Sequence, residues 1–219
     1  MKLSVVMPVY NEEASVADVI EQVKRVPVEK EIIAVDDHSL DRTLEVLRSI
    51  PGISVVTHAT NQGKGAAIRT GLRAASGDVV IIQDADLEYD PNDYPRLLAP
   101  FADQDVDAVY GSRFRGRSKF LFLSRLANYF LTFLTDLLFG GRITDMETCY
   151  KAIRRPLFLR LNLTARRFEV EPEITAKLLR LGARIVEVPI AYRARRVGKK
   201  IGPRDGIMAC RALLKWYFS

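Results

Sequence analysis

Three acids at alternate positions, Asp84, Asp86 and Glu88, close the apolar run Val79-Val-Ile-Ile-Gln83. Carboxylates this close repel one another, and each is costly where water is scarce. A divalent cation removes that penalty. Oxygen-only ligands on a short turn suit Mg²⁺ or Mn²⁺, ions that typically keep waters and a substrate phosphate as further ligands. A solvated acidic turn is the competing reading of acid-x-acid taken alone. Position decides between them, because the run is short, β-branched and uninterrupted, as in a strand buried on both faces. Open α/β sheets bind ligands beyond the carboxyl ends of such strands. Other groups stand at comparable places. Asp37, after a second apolar run, can accept a hydrogen bond from a nucleobase or ribose, or cap the next helix. Lys64, between Gly63 and Gly65 where a helix opens, can face a diphosphate together with the helix N-terminus; the glycines also serve as plain turn-formers, and this is no P-loop. Arg113 and Arg117 follow a further strand and suit phosphate or solvent about equally. His38 and His58 read as turn residues.

The elements that position these groups alternate. Leu3 to Val9 is a strand, followed by a helix with apolar positions Val16, Ile20 and Val23 that Asn11 can cap, with Glu12 and Glu13 at its positive end. Glu31 to Val35 is a strand, Asp41 to Ile50 a helix, Ile53 to Thr57 a strand, and Gly63 to Ala75 a helix before the Val79 strand. The order predicts a doubly wound, mostly parallel sheet whose strand ends bring the polar loops to one rim. A helix from Asp90 to about Phe101, a strand at Ala108 to Tyr110, a short helix from Pro156 to Leu161, a helix from Phe168 to Leu181 and an edge-like strand from Ala183 to Pro189 follow. Glu169, Glu171 and Glu173 suit the dipole of the helix that they open.

The chain of 219 residues is 48% hydrophobic, enough for a sizeable core, and reads as one domain over residues 1–202 with a C-terminal amphipathic helix over 203–219 as its appendage. Lys and Arg number 33 against 27 Asp and Glu, and the excess gathers between Arg193 and Lys215. That favours polyanions or an anionic membrane surface; no recognition motif supports nucleic acid. Cys149 and Cys210 form no ligand pattern and imply a reducing compartment or simple burial. No signal peptide precedes the first strand. Phe120 to Phe139 is apolar around most of a helix, with Arg125 and Asp136 inside it, which excludes a spanning helix. A buried core helix and an interfacial helix both fit, and periodicity favours the core.

The chain resembles glycosyltransferase family 2, with the GT-A fold, and within it the dolichyl- or polyprenyl-phosphate sugar synthases. The matching stretches are Val5-Val-Met-Pro-Val-Tyr-Asn-Glu12, Val35-Asp-Asp-His-Ser39, Asn61-Gln-Gly-Lys-Gly-Ala66, Gln83-Asp-Ala-Asp-Leu-Glu88, Gly111-Ser-Arg113, and Val188-Pro-Ile-x-Tyr192 through Gly198-Lys-Lys-Ile201 to Asp205-Gly206. The resemblance implies that Pro8, Val9, Tyr10, Glu12, Asp37, Lys64, Asp84 and Ala85 hold a nucleotide sugar, that Asp84, Asp86 and Glu88 meet Mg²⁺ or Mn²⁺, and that Asp86, Arg113 and Asp145 serve the chemistry. It implies an acceptor-phosphate site from Arg113, Arg125, Arg195 and Lys200. Glu88 stands where relatives often carry Gln, His38 replaces a common Gly, and Thr148-Cys149-Tyr150 replaces Ser-Gly-Phe.

The expected activity is an inverting transfer from a nucleoside-diphosphate sugar, of the GDP-mannose or UDP-glucose type, to a polyprenyl or dolichyl phosphate at the cytoplasmic face of a membrane. An anionic phosphate needs positioning more than a base. A hydroxyl acceptor on a polysaccharide or glycolipid would need one, and Asp86, Asp145 and Glu169 are its candidates. A sugar nucleotidyltransferase and a non-catalytic nucleotide-sugar binder are the more distant alternatives. The sequence names neither the sugar, the base nor the oligomeric state.

Overall fold

A computed structural model describes residues 1–195 and 203–218. The strands are β1 (Leu3–Val9), β2 (Lys30–Asp36), β3 (Ser54–Thr57), β4 (Val79–Ile82), β5 (Ala108–Ser112), β6 (Ser118–Lys119), β7 (Lys151–Arg154), β8 (Ile185–Pro189) and β9 (Tyr192–Arg193). The helices are α1 (Val16–Arg25), α2 (Thr43–Ser49), α3 (Lys64–Ala74), α4 (Tyr94–Leu98), α5 (Phe122–Phe139), α6 (Arg155–Arg160), α7 (Val170–Arg180) and α8 (Pro203–Phe218). Seven strands form one sheet in the order β3-β2-β1-β4-β7-β5-β8, while β6 and β9 make a small parallel ribbon.

Every residue of β4 is buried, as its unbroken Val-Val-Ile-Ile requires, and Val5 of β1 sits between Ile32 and Ile81 in register. The helix α1 buries Val16, Val19, Ile20 and Val23, one stripe at helical spacing. Gly71 on α3 lies so close to Val6 that a methyl group there would collide with it, which seats the helix tightly on β1. At the N-terminal ends of the strands, Glu31 gathers hydrogen bonds from Ser4 Oγ, Ser76 N and Oγ, and Lys2 Nζ, at 2.5, 2.6, 2.8 and 2.9 Å. Burial alone would raise its pKa, but these donors outweigh burial and hold it at about 2.

Besides the unexpected ribbon of β6 and β9, five departures from the sequence-based expectation bear on the site. The strand β7 has no counterpart in that expectation: Lys151 to Arg154 runs antiparallel between β4 and β5. Four residues flanked by a buried loop and a helix carry too little periodicity to be told from either. The segment after Asp90 is a 3₁₀ turn, the short α4 and a second 3₁₀ turn, because Pro91, Pro95 and Pro100 each remove an amide donor. Asn11 does not cap α1. It adopts φ 51°, and its Oδ1 accepts from Leu40 N at 2.8 Å, which ties the first loop to the second. Asp37 does not cap α2, where Asp41 Oδ1 accepts from Thr43 N at 2.9 Å.

The fifth departure is the largest. Only Leu131, Thr132 and Thr135 of α5 are buried, and Phe122, Leu123, Leu126, Phe130, Phe133 and Leu137 face outward, Phe122 with 81% of its surface exposed. The core reading is therefore overturned. Around a helix this apolar, hydrophobic spacing does not say which side meets the protein, and α7 and α8 cover only one. The helix α8 adds its own exposed Ile207, Leu214, Tyr217 and Phe218, while its Ala209 and Leu213 join the common core. Among the described residues no helix is long and apolar enough to cross a membrane.

Candidate active site

The carboxyl ends of β1, β2 and β4 converge on a cavity of about 550 Å³, walled by Pro8, Val9, Tyr10, Glu12, Asp37, Lys64, Asp84, Ala85, Asp86 and Glu88 at one end. Its other end passes Arg113, Tyr192 and Arg195 to an apolar wall of Phe120, Leu121, Leu123, Ala127 and Leu131. Residues expected at a nucleotide site thus share one cavity with residues of the exposed helix α5.

Each polar group is set by its element. Asp37, just beyond β2, is almost buried and accepts from Gln62 N at 2.9 Å and Gly63 N at 2.7 Å. His58 Nδ1 stands 2.7 Å from the same carboxylate, and His58 Nε2 stands 2.9 Å from Thr70 Oγ1. Those contacts hold the turn before α3, where Gly63 takes φ 94° against the Arg166 carbonyl, a place with no room for a Cβ. The turn in turn aims Lys64 inward. Its Nζ lies 2.8 Å from Asp84 Oδ1 and 3.2 Å from Glu171 Oε1, and Glu171 Oε2 accepts from Lys151 Nζ at 2.6 Å. Burial would strip the Lys64 proton, but Asp84 and then Cys149 and Glu171 hold its pKa well above the usual lysine value. Burial likewise works against the Asp84 charge, and Lys64 outweighs it.

Asp86 has no such partner. Burial, then the negative charges of Asp84 and Glu88, push its pKa up to about 7, and Arg195 only partly offsets them. Glu88 turns away from the other two acids. Its Oε2 accepts from the Tyr192 hydroxyl at 2.7 Å and its Oε1 from Arg195 N at 2.8 Å, so it holds the segment after β9. Arg195 then spans the cavity mouth, donating to both Glu12 oxygens at 3.1 Å, with Nη2 3.7 Å from Asp86 Oδ2. Among the described residues no three His, Cys, Asp or Glu side chains form a preassembled metal cage.

The remaining expected residues divide. Arg113 lines the cavity, fixed by Asp145, which takes its backbone N, Nε and Nη2 at 2.9, 2.8 and 2.7 Å. Asp145 is fully buried with both oxygens on Arg113, so it cannot reach a substrate hydroxyl, and the base reading of it is corrected to that of an orienting partner. Glu169 does not line the cavity and accepts from Arg166 N and Arg167 N ahead of α7. Arg125 is exposed on α5, stacked on Tyr129 at 5.6 Å, and is not part of the cavity wall. Lys200 lies outside the described residues.

Sequence reasoning missed four groups. His58 reads as a turn residue, though a further aligned apolar strand ending beside Asp37 is a signal for its role. The pair Lys151 and Glu171 is hidden because β7 is. Glu147 sits on the cavity wall with Oε1 buried and unbonded among the described residues. Tyr192 meets Tyr89 edge-on, ring centres 5.2 Å apart, and carries Arg113 at 5.0 Å from its ring centre.

Known proteins are similar to this chain in sequence and in fold. The chain is 31% identical over 205 residues to the dolichyl-phosphate hexose transferase of Haloferax volcanii, covering 93% of this chain and 88% of that protein. It is 28% identical over 207 residues to the dodecaprenyl-phosphate galacturonate synthase of Rhizobium johnstonii, of whose length it spans 61%. Among solved structures, glucosyl-3-phosphoglycerate synthase from Mycobacterium tuberculosis in complex with UDP superposes with a TM-score of 0.78 at 25% identity, covering 99% of this chain and 80% of that one. That neighbour was also crystallised with Mn²⁺, UDP and glucosyl-3-phosphoglycerate. Residues 4–161 match the family model described as Glycosyl transferase family 2, and the chain, with its mostly parallel sheet and its acids at the rim, belongs to that family of glycosyltransferases.

Proposed function

We propose that this protein transfers a sugar, with inversion, from a nucleoside diphosphate to a polyprenyl phosphate. The observation that carries the reading is the continuity of one cavity from the acids of β4, past the cation Arg113, to an apolar wall that merges with the exposed face of α5. A lipid phosphate needs those three surroundings in that order. The relatives from Haloferax volcanii and Rhizobium johnstonii are named for dolichyl and dodecaprenyl phosphates, which supports the same acceptor class.

Pro8, Val9, Tyr10, Glu12 and Asp37 form the nucleotide end, and Lys64 stands where it can meet the diphosphate. Asp84 and Asp86 would hold a divalent cation. The fit rests on two carboxyls, Asp84 and Asp86, lining one cavity wall, with Asp86 raised to about 7 by burial and then by the charges of Asp84 and Glu88. When bound, the ion supplies neutralisation of the leaving diphosphate. In the reaction an acceptor phosphate oxygen attacks the anomeric carbon, the bond to the diphosphate breaks, and its electron pair leaves on the phosphate. No proton must be removed first. Arg113, oriented by Asp145 and stacked between Phe120 and Tyr192 at 5.5 and 5.0 Å, offsets the repulsion between the two anions.

The exposed apolar face of α5 and α8, with Arg125, Arg142, Arg211 and Lys215 exposed near it, would lie in an anionic membrane interface. The test uses purified protein, Mn²⁺, UDP-glucose or GDP-mannose, and polyprenyl phosphate, with 3-phosphoglycerate and a glycan hydroxyl as rival acceptors. An inverted lipid-linked product is expected. Retained configuration, or transfer only to a rival acceptor, overturns the reading. Flotation with anionic vesicles tests the membrane contact, which Phe130→Glu with Phe133→Glu should abolish.

A further inference from the structure

Glu147 lines the cavity wall without a task in the proposed reaction and, unlike Glu88 and Glu171 there, without an ion pair or hydrogen bond to its Oε1 among the described residues. Its neighbours in sequence fix it from both sides: Met146 N donates to Thr132 Oγ1 on α5 at 3.0 Å, and Thr148 Oγ1 donates to the Gly111 carbonyl at the end of β5 at 2.7 Å. Among the described residues, the two cations that act on its charge are committed elsewhere. Lys151 bonds Glu171, and Arg113 holds Asp145. Oε1 is left buried with no hydrogen-bond partner among the described residues. Burial, only partly offset by Lys151, pushes the carboxyl up to about 7. A polar group held rigidly on a pocket wall at this cost is characteristic of a recognition site awaiting its partner.

Topology says which part of a ligand would meet it. In the sheet order, β2 and β1 lie on one side of β4, and β7 and β5 on the other. The nucleotide-end residues come from the first side and the acids from β4 itself. Glu147 enters from the second side, just ahead of β7. The part of the donor beyond its diphosphate must extend to that side, and that part is the sugar. An acceptor phosphate is the worse match, because a carboxylate repels it, whereas a sugar hydroxyl both accepts and donates and so suits either protonation state of Glu147.

Resting on the proposed sugar transfer, we propose that Glu147 is a specificity-determining residue that hydrogen-bonds a hydroxyl of the donor sugar and selects an uncharged sugar over a uronic acid. A buried group built to bond a hydroxyl discriminates strongly when the bond cannot form, and a second carboxylate facing it adds repulsion.

The experiment measures, by calorimetry with Mn²⁺ present, the affinities of UDP, UDP-glucose and UDP-glucuronic acid, and of GDP and GDP-mannose, for the wild type, Glu147→Gln and Glu147→Ala. The alanine variant is expected to bind UDP or GDP within about twofold of the wild type, which also reports its folding, and to bind the neutral sugar nucleotide about 10-fold or more weakly. The glutamine variant keeps the shape and the hydrogen bonding without the charge. It should recover most of that loss and narrow the preference for glucose over glucuronic acid about 10-fold. A wild-type ratio of sugar-nucleotide to nucleotide affinity in Glu147→Ala, or an unchanged glucuronate preference in Glu147→Gln, overturns the inference and leaves the transferase reading intact. A wild-type protein that binds no neutral sugar nucleotide overturns both.

Discussion

The two ends of the sheet treat their carboxyl groups in opposite ways. At the N-terminal end Glu31 is surrounded by donors from Lys2, Ser4 and Ser76 and held at about 2. At the C-terminal end Asp86 and Glu147 are raised to about 7, both chiefly by burial. Glu31, away from the cavity, is met by donors, whereas Asp86 and Glu147 on the cavity wall are left short of them, even though Asp84 on the same wall is answered by Lys64. The difference teaches where stability was kept and where it was given up for function.

The comparison can be broken from its functional end first. Asp84→Asn with Asp86→Asn should lower sugar transfer about 10²- to 10³-fold, the size expected when a main electrostatic contact to a leaving group is lost. The melting temperature should fall, because Asp84→Asn takes from buried Lys64 its partner at 2.8 Å, whereas Asp86→Asn alone should hold or raise it, since that carboxyl is raised by burial and by its acidic neighbours. A folded double variant that keeps its wild-type rate would sever the link between uncompensated charge and activity. Arg113→Ala should be next in size, because it strands the buried Asp145 carboxylate at a cost of about 3–5 kcal/mol. That is about 10 °C or more in Tm by thermal melting. Adding Asp145→Ala should return part of the stability but none of the transfer, which separates the structural share of the pair from its part in binding phosphate.

The next two variants sharpen the comparison through the sign of their pH dependence. Glu31 has a lowered folded pKa, so its stabilisation is complete above the unfolded value near 4.5 and is lost as pH falls toward about 2. Glu31→Gln should therefore melt about 3 °C below the wild type at pH 7, with the gap closing between pH 4.5 and 2. Glu147 is the reverse. Its folded pKa is raised, so ionisation costs stability progressively from about 4.5 up to about 7, and the full cost remains above that. Glu147→Gln should melt about 2 °C above the wild type at pH 8 and match it at pH 4. Shifts of the same sign for both variants would remove the contrast.

Much of the N-terminal half was legible because its signals are local. Unbroken apolar runs such as Val79 to Ile82 mark buried parallel strands, and the polar residues beyond each run land on one rim by geometry alone. The end of the cavity walled by α5 was legible mainly as composition. Whether the apolar surface of α5 faces the core depends on what packs against it, a long-range fact that Phe122 or Phe130 does not carry. The roles of the acids were misread for a related reason. Glu169, Glu171 and Glu173 all suit a helix start, yet Glu169 caps backbone amides, Glu171 pairs with Lys151, and Glu173 accepts from Thr164 and Ala165. Only the neighbours contributed by β7 and the preceding loop tell them apart. Asp145 and Arg113 are separated by β6 and the whole of α5 in sequence, and no local pattern announces their bond.

The closure of the sheet around β7 bears on how such proteins diversify. Tyr110 and Lys151 are cross-strand partners, and Gly111 N donates to the Tyr150 carbonyl at 2.8 Å, so the chain departs after β5 and rejoins at β7 almost where it left. Everything between, including α5, is an excursion with its two feet side by side. Closing a longer excursion over the same feet costs little, since the penalty grows only with the logarithm of its length. Exchanging that excursion is thus a route by which a descendant could acquire a new acceptor while its nucleotide-holding strands stay as they are.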